Sequence, residues 1–98
     1  MAVIRTSGSA SGAALRSLTG QQELPWPRAV TLRRIHDPSS METLDRGLVI
    51  WFPGPHSFTG EDCSELHVHG GPAVVGSVLQ ALGLLPGLCP ANPGEFTK

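Results

Sequence analysis

The stretch FPGPHSFTGEDCSELHVHGGPAVV, Phe52 to Val75, constrains the fold more than any other part of the chain. Pro53 and Pro55 remove backbone donors, and Gly54 and Gly60 permit tight turns, so Phe52 to Asp62 reads as an ordered loop. CSELHVHG then alternates as a strand, and Gly70-Gly71 let the chain turn sharply after it. Pro72 suits a first helical turn, where its missing N–H costs nothing. Val74, Val75, Val78, Leu79 and Leu82 follow at helical spacing, and Gly83 ends the run. A strand, a tight turn and a core helix are therefore fixed in sequence.

The remaining elements build around that unit. AVIRTSG reads as a short strand closed by Gly8. In SASGAALRSLTG, Ser9 or Ser11 is a candidate N-cap, Ala14, Leu15 and Leu18 share one side, and Gly20 stops the helix. QQELPWPR is a loop, because Pro25 and Pro27 flank Trp26. AVTLRRI reads as a half-exposed strand, with Val30, Leu32 and Arg34 on one face and Thr31 and Arg33 on the other. The turn cluster HDPSSMET separates it from LDRGLVIWF, an unbroken apolar run that reads as a buried strand and an antiparallel neighbour. LLPGLCPANPG is turn-rich, with room for one strand around Leu88-Cys89, and GEFTK reads as an unfinished loop. The order βα–ββ–βα–β predicts an α+β fold, a small mixed sheet covered by helices.

Ninety-eight residues allow one small domain. A chain this short buries a modest share of its surface, so stability is marginal unless something else covers part of it. A net charge of −1 and no run of Lys or Arg give no electrostatic case for nucleic acid. Cys63 and Cys89 are too few for a disulfide scaffold, match no zinc spacing, and favour a reduced compartment. No stretch is long and apolar enough to span a membrane. Ala2-Val3-Ile4 opens without a cap or turn, and the end stops inside a loop, so we expect a piece of a longer protein.

The chemistry-bearing residues gather in the same central stretch. His67 and His69 share a strand face, but no third metal ligand is evident, so turn or core histidines are the simpler reading. A strand leading through Gly70-Gly71 into a helix offers free N–H groups to an anion. The phosphate-loop and dinucleotide glycine patterns are nevertheless absent, and nucleotide binding by this chain is not expected. Cys63 lacks a placed base, and Ser57, Thr59 and Ser64 read as turn and strand hydroxyls. Asp62 is expected to accept backbone N–H bonds in the FTGED turn. No catalytic residue is assigned. Glu65 stands apart: a carboxylate on an inner strand requires a partner or a ligand, and paired N–H donors, as on amino-pteridine and guanine rings, would suit it. Arg5, isolated in an apolar run, raises the same question. From periodicity alone, mutual pairing or exposure of Arg5 and Glu65 is the simpler answer.

AVIRTSG, LDRGLVIWFPGPHSFTGEDCSELHVHGGPAVV and PGEFTK together resemble the N-terminal domain of MnmE/TrmE-type tRNA-modification GTPases. The resemblance runs from Ala2 to Lys98, is strongest over Leu44 to Val75, and by wording is nearest the animal, mitochondrial members. It implies a fold like the tetrahydrofolate-binding domain of the glycine-cleavage T-protein. It also implies a homodimer through this domain, with 5-formyl-tetrahydrofolate or a related reduced folate as ligand. The folate-contacting arginine and glutamate of that family fall on Arg5 and Glu65. The family's preceding strand and glycine-rich loop, and a folate-site lysine that follows PGEFT, lie outside this sequence; Lys98 is not that lysine. The implied whole protein adds a GTPase domain that takes GTP, Mg and K, and works with an FAD-dependent MnmG/GidA-type partner. Its implied reaction modifies C5 of the wobble uridine of mitochondrial tRNAs, in the matrix, with this domain supplying the one-carbon cofactor. A structural dimerisation module without folate is the alternative.

Overall fold

The computed structural model describes residues 2–54, 60–69, 71–85, 87, 89–90 and 95–97. Its elements are β1 (Ala2–Ser7), α1 (Ser11–Thr19), β2 (Thr31–His36), β3 (Thr43–Phe52), β4 (Cys63–Val68), α2 (Pro72–Gly83), β5 (Cys89–Pro90) and β6 (Glu95–Thr97). They form one six-stranded sheet in the order β2-β3-β4-β1-β6-β5. β1 runs antiparallel to β4 and parallel to β6, so the sheet is mixed and the fold is α+β, as the sequence predicts. β2 and β3 pair antiparallel, also as expected, with a register shift between Ile35 and His36.

The two faces of the sheet differ sharply. Ile4, Ile35, Val49, Trp51, Leu66 and Val68 point to one side and join Ala14, Leu15 and Leu18 of α1 with Val78, Ala81 and Leu82 of α2 in a single core. Complete burial of side chains such as Ile4, Leu15, Leu66 and Leu82 contributes about 1.5–3 kcal/mol each and is the main stabilising force. On the same side Thr6 and Ser64, direct partners across β1 and β4, bond through their hydroxyls and so satisfy two buried polar groups. Alternation sends Val3, Arg5, Leu32, Leu48, Ile50, Phe52, Glu65 and His67 to the opposite face, which the two helices leave open.

The stripe expected on α1, Ala14, Leu15 and Leu18, is buried. Of that expected on α2, Val78 and Leu82 are buried, Val75 and Leu79 pack partly against the core and Val74 is half-buried, whereas Ala81, outside that stripe, is buried. Gly20 ends α1 in the left-handed region (φ 68°), its N–H bonded to the Arg16 carbonyl, and Pro72 opens α2. The cap of α1 departs from expectation: Ala10, neither Ser9 nor Ser11, is the N-cap and supplies no side-chain bond. Ser11 lies inside the helix, and its buried hydroxyl finds no partner among the described residues. β3 departs as well, since it is buried on one face only. Gly47, Val49 and Trp51 are inside, whereas Leu48, Ile50 and Phe52 are half-buried on the open face. Both faces of this strand carry large apolar residues, so no period of two is visible in LDRGLVIWF. On β2 the apolar set lies outward: Leu32 is 58% exposed, and Ile35 is the residue that enters the core. Of GEFTK, expected as a loop, Glu95–Thr97 instead add a strand alongside β1. The strand expected near Leu88-Cys89 is β5. Of the loop FPGPHSFTGED, residues 55–59 lie outside the described residues.

Candidate functional site

The open face converges on Glu65. β4 places it opposite Arg5 of β1 on one side and Ile50 of β3 on the other, in the middle of the sheet. Because side chains alternate, His67 is its neighbour two residues along the same face. The Arg5 Nε donates to Glu65 Oε2 at 2.9 Å, and the His67 Nε2 lies 3.1 Å from Oε1. Each carboxylate oxygen thus has a nitrogen partner. Mutual pairing of Arg5 and Glu65, the simpler of the two readings of these charges, is what the structure shows.

The electrostatics follow from this geometry. Glu65 is 8% exposed although it belongs to the uncovered face. That burial pushes its carboxyl up, but the hydrogen bonds from Arg5 and His67, with the charges of those groups, outweigh it and hold the carboxyl below the usual glutamate range. The group is therefore a carboxylate at neutral pH. Each oxygen of a carboxylate can accept more than one hydrogen bond, so a ligand bearing adjacent N–H groups can still dock on it. The Arg5 side chain is half-exposed, which leaves the ion pair screened and worth about 1 kcal/mol or less by itself.

Around this charged centre the surface is apolar. Moving from β4 toward the sheet edge along one row, His67 is followed by Leu48 and Leu32; along the next, Glu65 is followed by Ile50. Val3 flanks His67 on the β1 side and is exposed. The result is a platform on which a flat ring can lie with one polar edge against Glu65.

His69 does not join the site. β4 ends at Val68, and His69 turns to β3, where its N–H donates to Asp45 Oδ2 (2.7 Å) and its Nδ1 lies 3.0 Å from the Arg46 carbonyl. Among the described residues no group of three or more His, Cys, Asp and Glu side chains is placed to hold a metal ion. Cys63 is buried, and its Sγ donates to the Glu61 carbonyl at 3.5 Å. Asp62 accepts a backbone bond as expected, but from Gly54 across the loop (2.9 Å), which ties the end of β3 to the start of β4. No helix among the described residues is long and apolar enough to cross a membrane.

Sequence reasoning missed His67 as a partner of Glu65, although the spacing that puts both on one face was in view. It also missed Leu48 and Ile50 as part of the site, because β3 read as wholly buried.

Fold and site together define a small α+β domain with one packed sheet face and one open face centred on an ionised carboxylate. Residues 1–98 match the family described as GTP-binding protein TrmE N-terminus, and the chain belongs to that family. It is 68% identical over its whole length to a rat protein named 5-taurinomethyluridine-tRNA synthase subunit GTPB3, mitochondrial, and 67% identical to the human protein of that name. The tRNA modification GTPase MnmE of a Methylobacterium strain is 55% identical over the same 98 residues. The chain spans about a fifth of the length of these relatives (20%, 20% and 22%).

Proposed function

We propose that this chain binds a reduced folate of the 5-formyl-tetrahydrofolate type on the open sheet face and serves as the dimerising N-terminal domain of a tRNA-modifying GTPase. The observation that carries the reading is Glu65, ionised and nearly buried at the centre of a face that no helix covers. A carboxylate so placed is matched by the paired N–H donors on the edge of a pteridine ring, and the apolar row beside it by the ring's flat surface. Arg5 orients Glu65 and, being half-exposed, stands within the same site. A likeness to the tetrahydrofolate-binding domain of the glycine-cleavage T-protein belongs to this reading.

The names of the relatives support the wider role. In it the domain supplies a one-carbon cofactor for modification at C5 of the wobble uridine of mitochondrial tRNAs, in the matrix. GTP, Mg and K then belong to a GTPase domain outside these 98 residues, and an FAD-dependent MnmG/GidA-type protein and tRNA are partners of the whole protein. The domain in this account is partial, with further parts of the folate site lying outside it. The apolar open face also favours a second reading, a dimerisation module that binds no folate.

Calorimetric titration of 5-formyl-tetrahydrofolate into the chain, with its folded state verified by circular dichroism, separates the two. Saturable heat is the expected result. A folded, dimeric chain that gives none would contradict folate binding and leave the dimerisation module standing.

A further inference from the structure

Arg34 of β2 and Arg46 of β3 are direct cross-strand partners, and both side chains are exposed on the open side of the sheet. Like charges placed directly opposite destabilise a strand pair. Nothing nearby relieves this: neither guanidinium forms an ion pair or side-chain hydrogen bond with another described residue. The adjacent acids are engaged elsewhere, Asp45 with the His69 N–H and Asp37 with Ser39. Two arginines at partner positions on one face offer forked donors suited to carboxylates.

The strand register places this pair relative to Glu65. Arg46, Leu48 and Ile50 follow one another at alternate positions of β3 on one face, and Ile50 stands opposite Glu65. Four residues along a strand and one strand across amount to about 14 Å. The line between them passes over Leu48, with its register partners His67 on the β4 side and Leu32 on the β2 side. One extended ligand with a donor-bearing ring at one end, an apolar middle and an anionic end would satisfy all three parts.

The geometry points to a second subsite at Arg34 and Arg46 that holds the glutamate tail of the folate whose ring docks on Glu65, with the aminobenzoyl group over Leu48. This rests on the folate reading given above. Tails with more than one glutamate bind more tightly, because each residue adds a carboxylate within reach of the pair.

The test compares three ligands: 5-formyl-tetrahydropteroate, which lacks glutamate, 5-formyl-tetrahydrofolate, and its triglutamate. Each is titrated into the wild-type chain and into the Arg34→Gln/Arg46→Gln variant. The expected result is a roughly three- to tenfold gain in wild-type affinity from tail-less to triglutamate ligand at low salt. That gain shrinks at high ionic strength and vanishes in the variant, which binds the tail-less ligand like wild type. The variant should melt no lower than wild type, since a like-charge pair has been removed. A tail-length gain that persists in the variant, or its absence in wild type, would overturn the subsite while leaving the folate reading intact. Competition by inorganic phosphate without any dependence on tail length would assign the pair to phosphate instead and likewise overturn it. A folded wild type that binds none of the three would end the folate reading, and this inference with it.

Discussion

Glu65 is the residue on which the account turns. Its carboxyl is held below the usual range in the folded chain, whereas in the unfolded chain it titrates near the ordinary glutamate value of 4.5. The unfolded state therefore binds the proton more readily, so ionised Glu65 adds stability above pH 4.5 that is lost as pH falls through its lower folded value. We expect Glu65→Gln to lose less stability than wild type over that acidic window, read from melting temperatures at pH 3 to 6; equal slopes would refute the pairing. In binding, the same substitution removes the acceptor pair that a pteridine edge requires. It should cost roughly tenfold or more in affinity for 5-formyl-tetrahydrofolate at pH 7, by analogy with a charge-assisted hydrogen bond.

At the scale of elements, two glycines hold strand and helix in place. Gly20 has φ 68°, and a Cβ there would stand 2.6 Å from Cε1 of the buried His36 ring, so α1 can end against β2 only with glycine at this position. Gly20→Ala should cost about 1–3 kcal/mol in denaturant melts. Part of that cost should disappear in a His36→Ala background, and strict additivity would show that the ring is not the obstacle. Gly47 lets β3 approach β4, since a Cβ would collide with the His67 carbonyl oxygen. Gly47→Ala should destabilise by a similar amount, and because it moves the His67 backbone it should weaken folate binding too. The legible parts of this fold are those with one clear period. α1 and α2 carry single stripes, Pro72 and Gly20 mark their ends, and both were readable. β3 was not, because Leu48 and Ile50 are as apolar as Val49 and Trp51, and hydrophobicity does not distinguish a core face from a binding face. Nor was β6, whose three residues are too few to show a pattern and depend on β1 for pairing. Of the site, Arg5 and Glu65 were readable as misplaced charges, whereas the role of His67 needed the register.

For the molecule as a whole, the two-sidedness of the sheet matters most. One face is sealed by both helices, and the other exposes Val3 and Leu32 beside half-buried Leu48, Ile50 and Phe52. An apolar surface of this kind in a small domain signals an interface. The dimer reading therefore predicts a sedimentation coefficient that rises with concentration, and Leu32→Lys should abolish that rise without lowering the melting temperature. A wild-type chain that stays monomeric at high concentration would contradict it. The central claim, that a reduced folate occupies this face, is tested most directly by methyl NMR during a titration with 5-formyl-tetrahydrofolate. The account predicts shifts at the methyl groups of Val3, Leu32, Leu48 and Ile50, and none at Leu15, Leu18 and Leu82 in the core. Saturable binding that moves the core methyls and leaves the open face still would contradict it.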